Sequence, residues 1–348
     1  MKLLILGTGN MAHTHADAFK AIKGVTLAAC ADMDLKAAQK FAKSHDIPEA
    51  YKSLDEAIEA GGFDAAANVT PDAIHYETTL KLLSNGIHVF CEKPLATNYG
   101  HAAAMMDAAK GKGLVNGVNL TYRNVSALQK AHQLVRSGQI GELRHFEASY
   151  LQSWLTQSSW GDWASDPTWL WRLSTEHGSK GVLGDVGIHI VDFVTFAAGS
   201  DVSTLTCQLK TFEKAAGNQI GTYKLDANDS FSMTAELANG ANGVIHASRF
   251  ASGHVNDLTL KLFGTKGGLE VTNQGDRGTL RISRGEDLLN GTWVDMELGP
   301  VESTYESFAN ALSGDGDATP DFATATSLQA VIDSAIMSDK AGGKIALK

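Results

Sequence analysis

Residues 3–12 read LLILGTGNMA, an apolar run followed by two closely spaced glycines. The run has the length of a buried strand, and residues 11–21 have the pattern of a helix. Gly7 permits a tight turn between them, Gly9 lets the backbone approach a ligand, and Ala12 lets the helix pack near the strand. The stretch predicts a strand, a glycine turn and a helix whose first N–H groups face an anion.

The same alternation continues as far as residue 121. The predicted strands are 3–6, 26–31, 65–69, 88–91 and 115–119, and the predicted helices are 11–21, 35–45, 74–85 and 98–112. Strands that alternate with helices at this spacing pair in parallel and are covered on both faces. We therefore predict an α/β fold for residues 1–121, a doubly wound Rossmann domain with a parallel sheet.

The pattern changes after residue 121. Predicted helices lie at 127–137, 185–198, 305–312 and 323–339, and predicted strands at 145–151, 230–237, 243–248, 258–263 and 280–283. Asn-Gly, Gly-Gly and Gly-Thr pairs between the later strands are typical of hairpins. Residues 122–348 are therefore predicted to form a second, α+β domain with a mostly antiparallel sheet.

An acidic residue follows the second predicted strand. Asp32 lies 20 residues beyond Ala12, where a carboxylate accepts hydrogen bonds from both hydroxyls of an adenosine ribose and repels a 2′-phosphate. These features predict NAD as the cofactor, with NADP less favoured. The cofactor-binding residues predicted here are Gly7, Thr8, Gly9, Asn10, Met11 and Asp32.

Composition excludes several classes of partner. The 348-residue chain has a formal net charge of −10 and no run of Lys or Arg, so we expect no nucleic acid. Cys30, Cys91 and Cys207 lie far apart in the sequence, which indicates reduced thiols. No stretch approaches the roughly 18 apolar residues of a membrane helix, and the N-terminal run is too short for a signal peptide. We therefore expect a cytoplasmic protein with no membrane partner.

His13 and His15 form an H-x-H pair at the start of the first predicted helix. Residues two positions apart on a helix do not share a face, and no cluster of carboxylates or cysteines accompanies them. We therefore predict no metal site.

Three further segments carry a family resemblance. They read TPDAIH at 70–75, HVFCEKPLA at 88–96 and GDVGIH at 184–189. With the glycine turn, and with GTKGG at 264–268 and PDF at 320–322, they resemble the Gfo/Idh/MocA family. That family is named for glucose–fructose oxidoreductase, inositol dehydrogenase and a rhizopine-catabolism protein, and the resemblance runs nearly end to end.

The resemblance implies a Rossmann domain followed by an open-faced sheet domain. It also implies an NAD(P)-dependent oxidoreductase that acts on secondary alcohols of sugars or cyclitols, or on the matching ketones. By motif position, Lys93, Asp185 and His189 fall where the family keeps its catalytic lysine, aspartate and histidine. Further cofactor-binding residues expected are Thr70, Pro71, His75, Glu92 and Lys93, and the Lys93–Pro94 peptide bond is expected to be cis.

The chemistry of these three residue types supports the same roles. Hydride leaves a carbinol carbon only as its hydroxyl loses a proton, so a base is required. His189 suits this task, because an unperturbed imidazole has a pKa of about 6.5. Asp185 lies one helical turn earlier, and its carboxylate can orient the imidazole and substrate hydroxyls. Lys93 brings a positive charge that stabilises the developing alkoxide.

Five of the six tryptophans lie between residues 154 and 171, followed by Arg172. Flat aromatic faces suit the C–H faces of a sugar ring, although packing inside the loop or at an oligomer interface is the alternative. We expect at least one of Trp154, Trp169 and Trp171 to contact the substrate, and Arg123 to lie near it. The predicted substrate-binding residues are Lys93, Asn119, Tyr122, Trp154, Trp171, Arg172, Asp185 and His189.

Three functions fit these patterns. The first is an NAD-dependent dehydrogenase or reductase of a sugar or cyclitol. The second is a glycosidase that uses bound NAD for a transient oxidation, and the third is a non-enzymatic dinucleotide-binding sensor of the same fold. A pure sensor needs no proton-transfer residues, so Lys93, Asp185 and His189 argue against it. An open sheet face needs covering, so we expect a homodimer or homotetramer.

Overall fold

The structure is a computed structural model that describes residues 1–158, 160–275 and 277–347. The chain divides into two compact units, Met1–Thr121 with Glu302–Gln329, and residues 122–301 with 330–347. The sequence assigned residues 302–329 to the second domain, whereas the structure includes them in the first unit. The reason is aromatic packing, because Tyr305 and Phe308 belong to the same buried cluster as Phe19 and Phe90.

The first unit contains a six-stranded parallel sheet. Its strands are β1 (Lys2–Leu6), β2 (Thr26–Ala31), β3 (Glu49–Tyr51), β4 (Ala65–Asn68), β5 (His88–Cys91) and β6 (Asn116–Val118). The order β3-β2-β1-β4-β5-β6 is that of the Rossmann fold and confirms the predicted fold class. All four residues of β4 are buried, as expected of a parallel strand covered on both faces.

Helices connect these strands. They are α1 (Asn10–Lys20), α2 (Leu35–His45), α3 (Leu54–Ala60), α4 (His75–Ser84) and α5 (Tyr99–Lys112). Two further helices, α10 (Thr304–Leu312) and α11 (Phe322–Ala341), lie later in the chain and do not connect these strands. The Asp34 side chain caps α2 by accepting hydrogen bonds from two backbone N–H groups of its first turn. The strand β3 and the helix α3 were not predicted, because three and seven residues carry too little periodicity.

The second unit contains a nine-stranded sheet in the order β16-β15-β14-β13-β7-β12-β11-β8-β17. Its strands are β7 (Leu143–Gln152), β8 (Val202–Lys210), β11 (Ser230–Leu237), β12 (Asn242–Ser248), β13 (Asn256–Gly264), β14 (Gly267–Gln274), β15 (Arg277–Arg284), β16 (Val294–Asp295) and β17 (Ile345–Ala346), and β9 (Gln219–Ile220) and β10 (Tyr223–Lys224) form a separate hairpin. Only β7 and β12 pair in parallel among these described strands, so the prediction of a mostly antiparallel sheet is confirmed.

The helices of this unit are α6 (Ser126–Arg136), α7 (Pro167–Leu170), α8 (Ile188–Ala198) and α9 (Glu286–Asn290). The predicted helix 185–198 consists of two elements, since a π-helical turn (Leu183–Gly187) precedes α8. Gly184 permits this wide turn, because a Cβ at that position would collide with the Lys180 side chain. In the described part of the chain, no helix has both the length and the apolar character that crossing a membrane requires.

Candidate active site

The turn between β1 and α1 is shaped for a bound phosphate. Gly7 has a φ of +88°, and a Cβ there would lie 2.7 Å from the carbonyl oxygen of Val69, so glycine is required. A Cβ at Gly9 would meet no atom within 4 Å, so the space over this residue is open. No side chain caps α1, and its first turn, with the exposed Asn10 and Met11, holds no acidic residue. These residues fit a dinucleotide pyrophosphate at the helix N-terminus.

The carboxylate of Asp32 is tied to this turn. Its Oδ2 accepts hydrogen bonds from the backbone N (2.9 Å) and the Oγ1 (2.8 Å) of Thr8, and its Oδ1 accepts one from the backbone N of Asp34 (3.0 Å). A carboxylate offers about four acceptor positions, so one on Oδ1 remains. That position can accept a ribose hydroxyl, and the contact of Asp32 with both ribose hydroxyls stays a prediction.

Lys93 lies in the turn that follows β5, and hydrogen bonds inside the first unit hold this turn in place. The Lys93–Pro94 peptide bond is cis, which confirms the expectation. Glu92 Oε2 accepts a hydrogen bond from the backbone N of Lys93 at 3.0 Å. Glu92 Oε1 contacts His15 Nε2 at 2.7 Å and accepts a hydrogen bond from Asn119 Nδ2 at 2.6 Å. The lysine side chain itself is half-buried.

Glu92 is an ionised carboxylate inside the first unit. Burial by itself raises its pKa, but the hydrogen bonds from His15 and Asn119 and the charge of Lys93 outweigh burial and lower the pKa to about 2. Glu92 and Asn119 are both buried and bonded to each other. The side chains of Glu92 and Asn119 thus hold the Lys93 turn, and the contacts of Glu92 with the cofactor and of Asn119 with the substrate stay predictions.

His75 also lies inside this unit. Its ring is 1% exposed, with Nε2 2.7 Å from the carbonyl oxygen of Thr70 and Nδ1 2.9 Å from that of Pro94. Thr70 is further fixed by a 2.7 Å hydrogen bond from its hydroxyl to Asn68 Oδ1. Both ring nitrogens of His75 are thus engaged by the protein, and the cofactor contacts of His75, Thr70 and Pro71 stay predictions.

In the second unit, His189 lies in the first turn of α8 beside Tyr122. The two rings are perpendicular, with centroids 5.0 Å apart. The helix is anchored by Arg123, whose Nε and Nη2 donate to the Asp192 carboxylate at 2.7 and 2.6 Å. Arg123 is buried in this pair, and its position near a substrate stays a prediction. Its guanidinium stabilises the helix that carries His189.

Asp185, in the π-helical turn, is held by an arginine that the sequence did not reveal. Arg249 is 0% exposed, and its Nη2 donates to Asp185 Oδ2 at 2.9 Å, while its Nη1 donates to the carbonyl oxygen of Arg172 at 3.1 Å. The Nε of Arg172 lies 3.9 Å from the same carboxylate oxygen. Burial lowers the pKa of Arg249, and the Asp185 charge acts against that effect. The signal available in the sequence was the position of this charged residue, directly after the predicted strand 243–248.

A second missed residue, Tyr150, lies beside Tyr122. The two tyrosine hydroxyl oxygens lie 2.5 Å apart, and Tyr150 also donates to Asn256 Oδ1 at 2.7 Å. Burial raises the pKa of Tyr150 well above its usual value, and Tyr122 and the charge of Asp185 raise it further. We call His189, its neighbours Tyr122 and Tyr150, and Asp185 in the π-helical turn before α8 the His189 cluster.

The tryptophans divide between core and surface. Trp154 is 2% exposed and packs with Leu155 and Leu170, which fits the alternative of packing inside the loop, and its contact with a substrate stays a prediction. Trp171 is 39% exposed, and the guanidinium of Arg172 lies 4.6 Å from its ring. Trp171 and Arg172 also remain predicted substrate contacts of this loop, and Arg172 lies near Asp185.

The H-x-H pair does not act as a unit. His13 Nδ1 lies 2.7 Å from His45 Nε2, whereas His15 contacts Glu92. Within the residues that the structure describes, no group of three or more His, Cys, Asp and Glu is arranged to hold a metal ion.

Curated relatives cover most of the chain. Levoglucosan dehydrogenase of Pseudarthrobacter phenanthrenivorans is 27% identical over 311 residues, which are 81% of this chain and 76% of that protein. D-glucoside 3-dehydrogenase of Escherichia coli is 28% identical, over 69% of this chain and 68% of that one. An NADP-dependent scyllo-inositol 2-dehydrogenase of Bacillus subtilis is 29% identical, over 64% and 66%.

Solved structures share the fold. A levoglucosan dehydrogenase in complex with NADH and levoglucosan has a TM-score of 0.88 at 22% identity, over 100% of this chain and 99% of that one. An oxidoreductase domain protein from Kribbella flavida has a TM-score of 0.86 at 25% identity, over 99% and 98%.

Family profiles match both parts of the chain. The profile for an oxidoreductase family with an NAD-binding Rossmann fold matches residues 1–120, and the profile for the GFO/IDH/MocA C-terminal domain matches residues 128–270. These matches account for the glycine turn, the Rossmann strand order and the mostly antiparallel sheet described above. The chain belongs to the Gfo/Idh/MocA family of oxidoreductases, whose Rossmann domain binds NAD.

Proposed function

We propose that the protein is an NAD-dependent dehydrogenase that oxidises a secondary alcohol of a sugar or cyclitol, or reduces the matching ketone. The observation that carries the proposal is the His189 cluster, which combines an imidazole, a carboxylate held by a buried arginine, and two tyrosine hydroxyls. A binding protein needs no such proton-transfer set, whereas removal of hydride from an alcohol does.

The proposed roles follow from the chemistry of each group. When NAD is bound, its nicotinamide supplies the hydride acceptor. His189 takes the proton of the substrate hydroxyl as the carbinol C–H bond breaks, which leaves a ketone and balances one hydride with one proton. Asp185, paired with Arg249, accepts hydrogen bonds from substrate hydroxyls. Lys93 places a positive charge at the developing alkoxide.

A ring-shaped polyhydroxylated substrate is supported by two observations. The exposed face of Trp171 beside Arg172 suits a sugar or cyclitol ring, because an indole packs on C–H groups while a guanidinium donates to hydroxyls. The curated relatives are named for levoglucosan, D-glucosides and scyllo-inositol, all of which are hydroxylated rings. We infer the same class of substrate for this protein.

The direct test is to supply NAD with a panel of pyranoses, anhydro-sugars and cyclitols and to record NADH absorbance. Acyclic polyols of equal hydroxyl count are the control for ring recognition. We expect NADH to form with at least one ring substrate and less with the acyclic set. Release of sugar from a glycoside without net NADH would instead support the glycosidase. Tight NADH binding with no turnover on any substrate would support the sensor.

We propose that the protein assembles as a homodimer or homotetramer. Buried and exposed side chains alternate along β11 and β12. In β12, Ile245 and Ala247 are buried, whereas Val244 and His246 are exposed. An exposed sheet face of this kind is protected by a second copy of the chain in many proteins. Light scattering on the purified protein tests the assembly, and a monomer at working concentration would contradict it.

We also propose a cytoplasmic location. Cys30, Cys91 and Cys207 are all free and buried, which suits a reducing compartment. Fractionation of the source cells checks this proposal, and recovery of the protein outside the cytoplasm would contradict it.

A further inference from the structure

The His75 ring lies between two hydrogen-bond acceptors. Its Nδ1 is 2.9 Å from the carbonyl oxygen of Pro94 and its Nε2 is 2.7 Å from that of Thr70. A carbonyl oxygen can only accept, so each contact requires a hydrogen on the facing nitrogen. A neutral imidazole carries one N–H, which would leave the other nitrogen and a carbonyl oxygen facing each other with lone pairs. The geometry therefore requires the doubly protonated ring.

The surroundings stabilise that charged form. Burial by itself lowers the pKa of His75, but the Cys91 sulfur and the carbonyl oxygens of Pro94 and Thr70 outweigh burial and raise the pKa to about 9. Cys91, the last residue of β5, is the titratable group that acts on the ring, and the Thr79 hydroxyl lies 4.0 Å from its sulfur. The ring itself is almost fully enclosed, so water does not compete for these hydrogen bonds.

The two carbonyl groups belong to different loops. Thr70 begins the loop after β4, and Pro94 ends the Lys93 turn after β5. These strands are hydrogen-bonded neighbours, so their carboxyl ends meet at the edge where a Rossmann sheet binds its ligand. His75 therefore joins two adjacent loops that the sequence assigns to the cofactor and to catalysis.

We propose that His75 is a positioning residue: as an imidazolium it ties the Thr70–Pro71 loop to the Lys93–Pro94 turn, and so fixes Lys93 and the nicotinamide half of the bound dinucleotide. The role of Lys93 rests on the proposed function, whereas the charge of the ring does not. Glu92 fixes the other side of the same turn through the backbone N of Lys93. The Lys93 peptide is thus held on both sides.

The charge of the ring can be read directly by NMR. Long-range proton–nitrogen correlations of ¹⁵N-histidine-labelled protein distinguish an imidazolium from either neutral tautomer. At pH 7.5 we expect both His75 nitrogens to be protonated. His88, at the start of β5, is the internal control, because its Nδ1 accepts a hydrogen bond from the backbone N of Val115 and burial lowers its pKa. A neutral pattern for His75 at pH 7.5 overturns the proposal, whether or not any variant folds.

The positioning role is tested with His75→Gln, whose amide can donate to only one of the two loops. We expect kcat to fall roughly 10- to 100-fold, as for a reacting group displaced by about 1 Å. We also expect weaker binding of NADH but unchanged binding of ADP-ribose, which lacks the nicotinamide. His88→Gln is the matched control, with both affinities and kcat near wild type.

The outcomes separate this proposal from the proposed function. Unchanged kcat and NADH affinity in His75→Gln would overturn the positioning role, and so would an equal loss of ADP-ribose binding, which would mean general damage to the domain. If Lys93→Ala keeps full turnover, the catalytic role of Lys93 fails, while the NMR pattern and the difference between NADH and ADP-ribose still decide whether His75 joins the two loops.

Discussion

Lys93 in the first unit and Asp185 in the second are held in different ways. The Lys93 turn is fixed through its backbone, by Glu92 on the Lys93 N–H and by His75 on the Pro94 carbonyl oxygen. Asp185 is fixed through its side chain, by the buried guanidinium of Arg249. Backbone anchoring sets the position of a group and leaves its charge state open, whereas side-chain pairing with a buried cation sets its charge as well.

The difference suits the proposed chemistry. A lysine that must meet a developing alkoxide needs accurate placement. A carboxylate beside a proton-accepting imidazole needs to stay ionised while the proton moves, and a fixed cation provides that. Substitutions in the two units should therefore have different effects on turnover, stability and pH dependence.

The largest effect is expected for His189, the proposed base of the second unit. His189→Ala should lower kcat by roughly 10²- to 10⁴-fold, because it removes the proton acceptor. NADH binding should persist, because His189 is not among the residues that hold the dinucleotide. Stopped-flow turnover and fluorescence titration measure the two quantities.

The control for that variant lies on a neighbouring helix. His132 of α6 contacts the Phe196 carbonyl oxygen near the other end of α8 through its Nδ1, at 2.6 Å. His132→Gln should loosen the end of the helix without removing a proton acceptor, so kcat should stay near wild type. Equal losses in the two variants would show that α8 is merely fragile and would contradict the role of His189 as the base.

The next effect concerns stability and pH in the first unit. The pKa of His75 is raised from 6.5 to about 9, so its contribution to stability is fully present below pH 6.5 and is lost as the pH rises through about 9. The difference in unfolding free energy between wild type and His75→Gln should therefore shrink between pH 6.5 and 9.5. Urea unfolding across that range measures it. A difference that is constant with pH would show that the folded protein holds His75 neutral.

A smaller effect is expected for Arg249. Arg249→Met should lower kcat by about 10- to 100-fold, or about 1.4 to 2.8 kcal/mol, because Asp185 loses its cation. Without that cation, the Asp185 carboxylate more strongly favours the protonated form of the proposed base His189, so the acidic limb of the kcat profile should move to higher pH. Arg249→Lys is the control: it keeps the charge, so its acidic limb should not move. Identical pH profiles for Arg249→Met and wild type would mean that Asp185 has another source of charge stabilisation.

A structural feature can be predicted from the sequence when the residues that form it lie close together in the chain. The glycine turn, the Rossmann strands and the Lys93 motif are encoded by adjacent residues, because local periodicity and turn chemistry determine them. Arg249 and Asp185 are 64 residues apart, and His15 and Glu92 are 77 apart. No local pattern reports such pairs, since they form only when the packed fold brings the elements together.

The same reason explains why the contacts of individual motif residues could not be predicted. His75, Asn119 and Trp154 stand inside or beside recognisable motifs, so a direct contact with ligand was a natural prediction. In the structure all three side chains are buried, as is that of His189, the proposed base. A motif identifies the residues that a site requires, but the packed fold decides which protein partners each of them has.

The smallest effect is expected at Asp32, whose carboxylate is held by neutral donors and not by a cation. Its Oδ2 is held by Thr8 and its Oδ1 by the backbone N of Asp34, so the carboxylate stays at the end of β2 with one acceptor position left. Selection between cofactors then depends mainly on its negative charge, which repels a 2′-phosphate. We expect NADH to bind at least about 10-fold more tightly than NADPH, a difference of about 1.4 kcal/mol.

Two substitutions separate charge from shape in this selection. Asp32→Ser removes the carboxylate and should narrow the preference for NADH over NADPH. Asp32→Asn keeps the side chain's size and an acceptor oxygen but removes the charge, so it should narrow that preference nearly as far. Met33 is 91% exposed, and Met33→Arg in the Asp32→Ser background should narrow the preference further by offering a cation to the 2′-phosphate. Parallel fluorescence titrations with NADH and NADPH measure each step. If Asp32→Asn keeps the full wild-type preference for NADH, a hydrogen bond to the ribose selects NAD and the charge does not. If the wild type binds NADPH as tightly as NADH, the remaining Oδ1 position does not face the ribose.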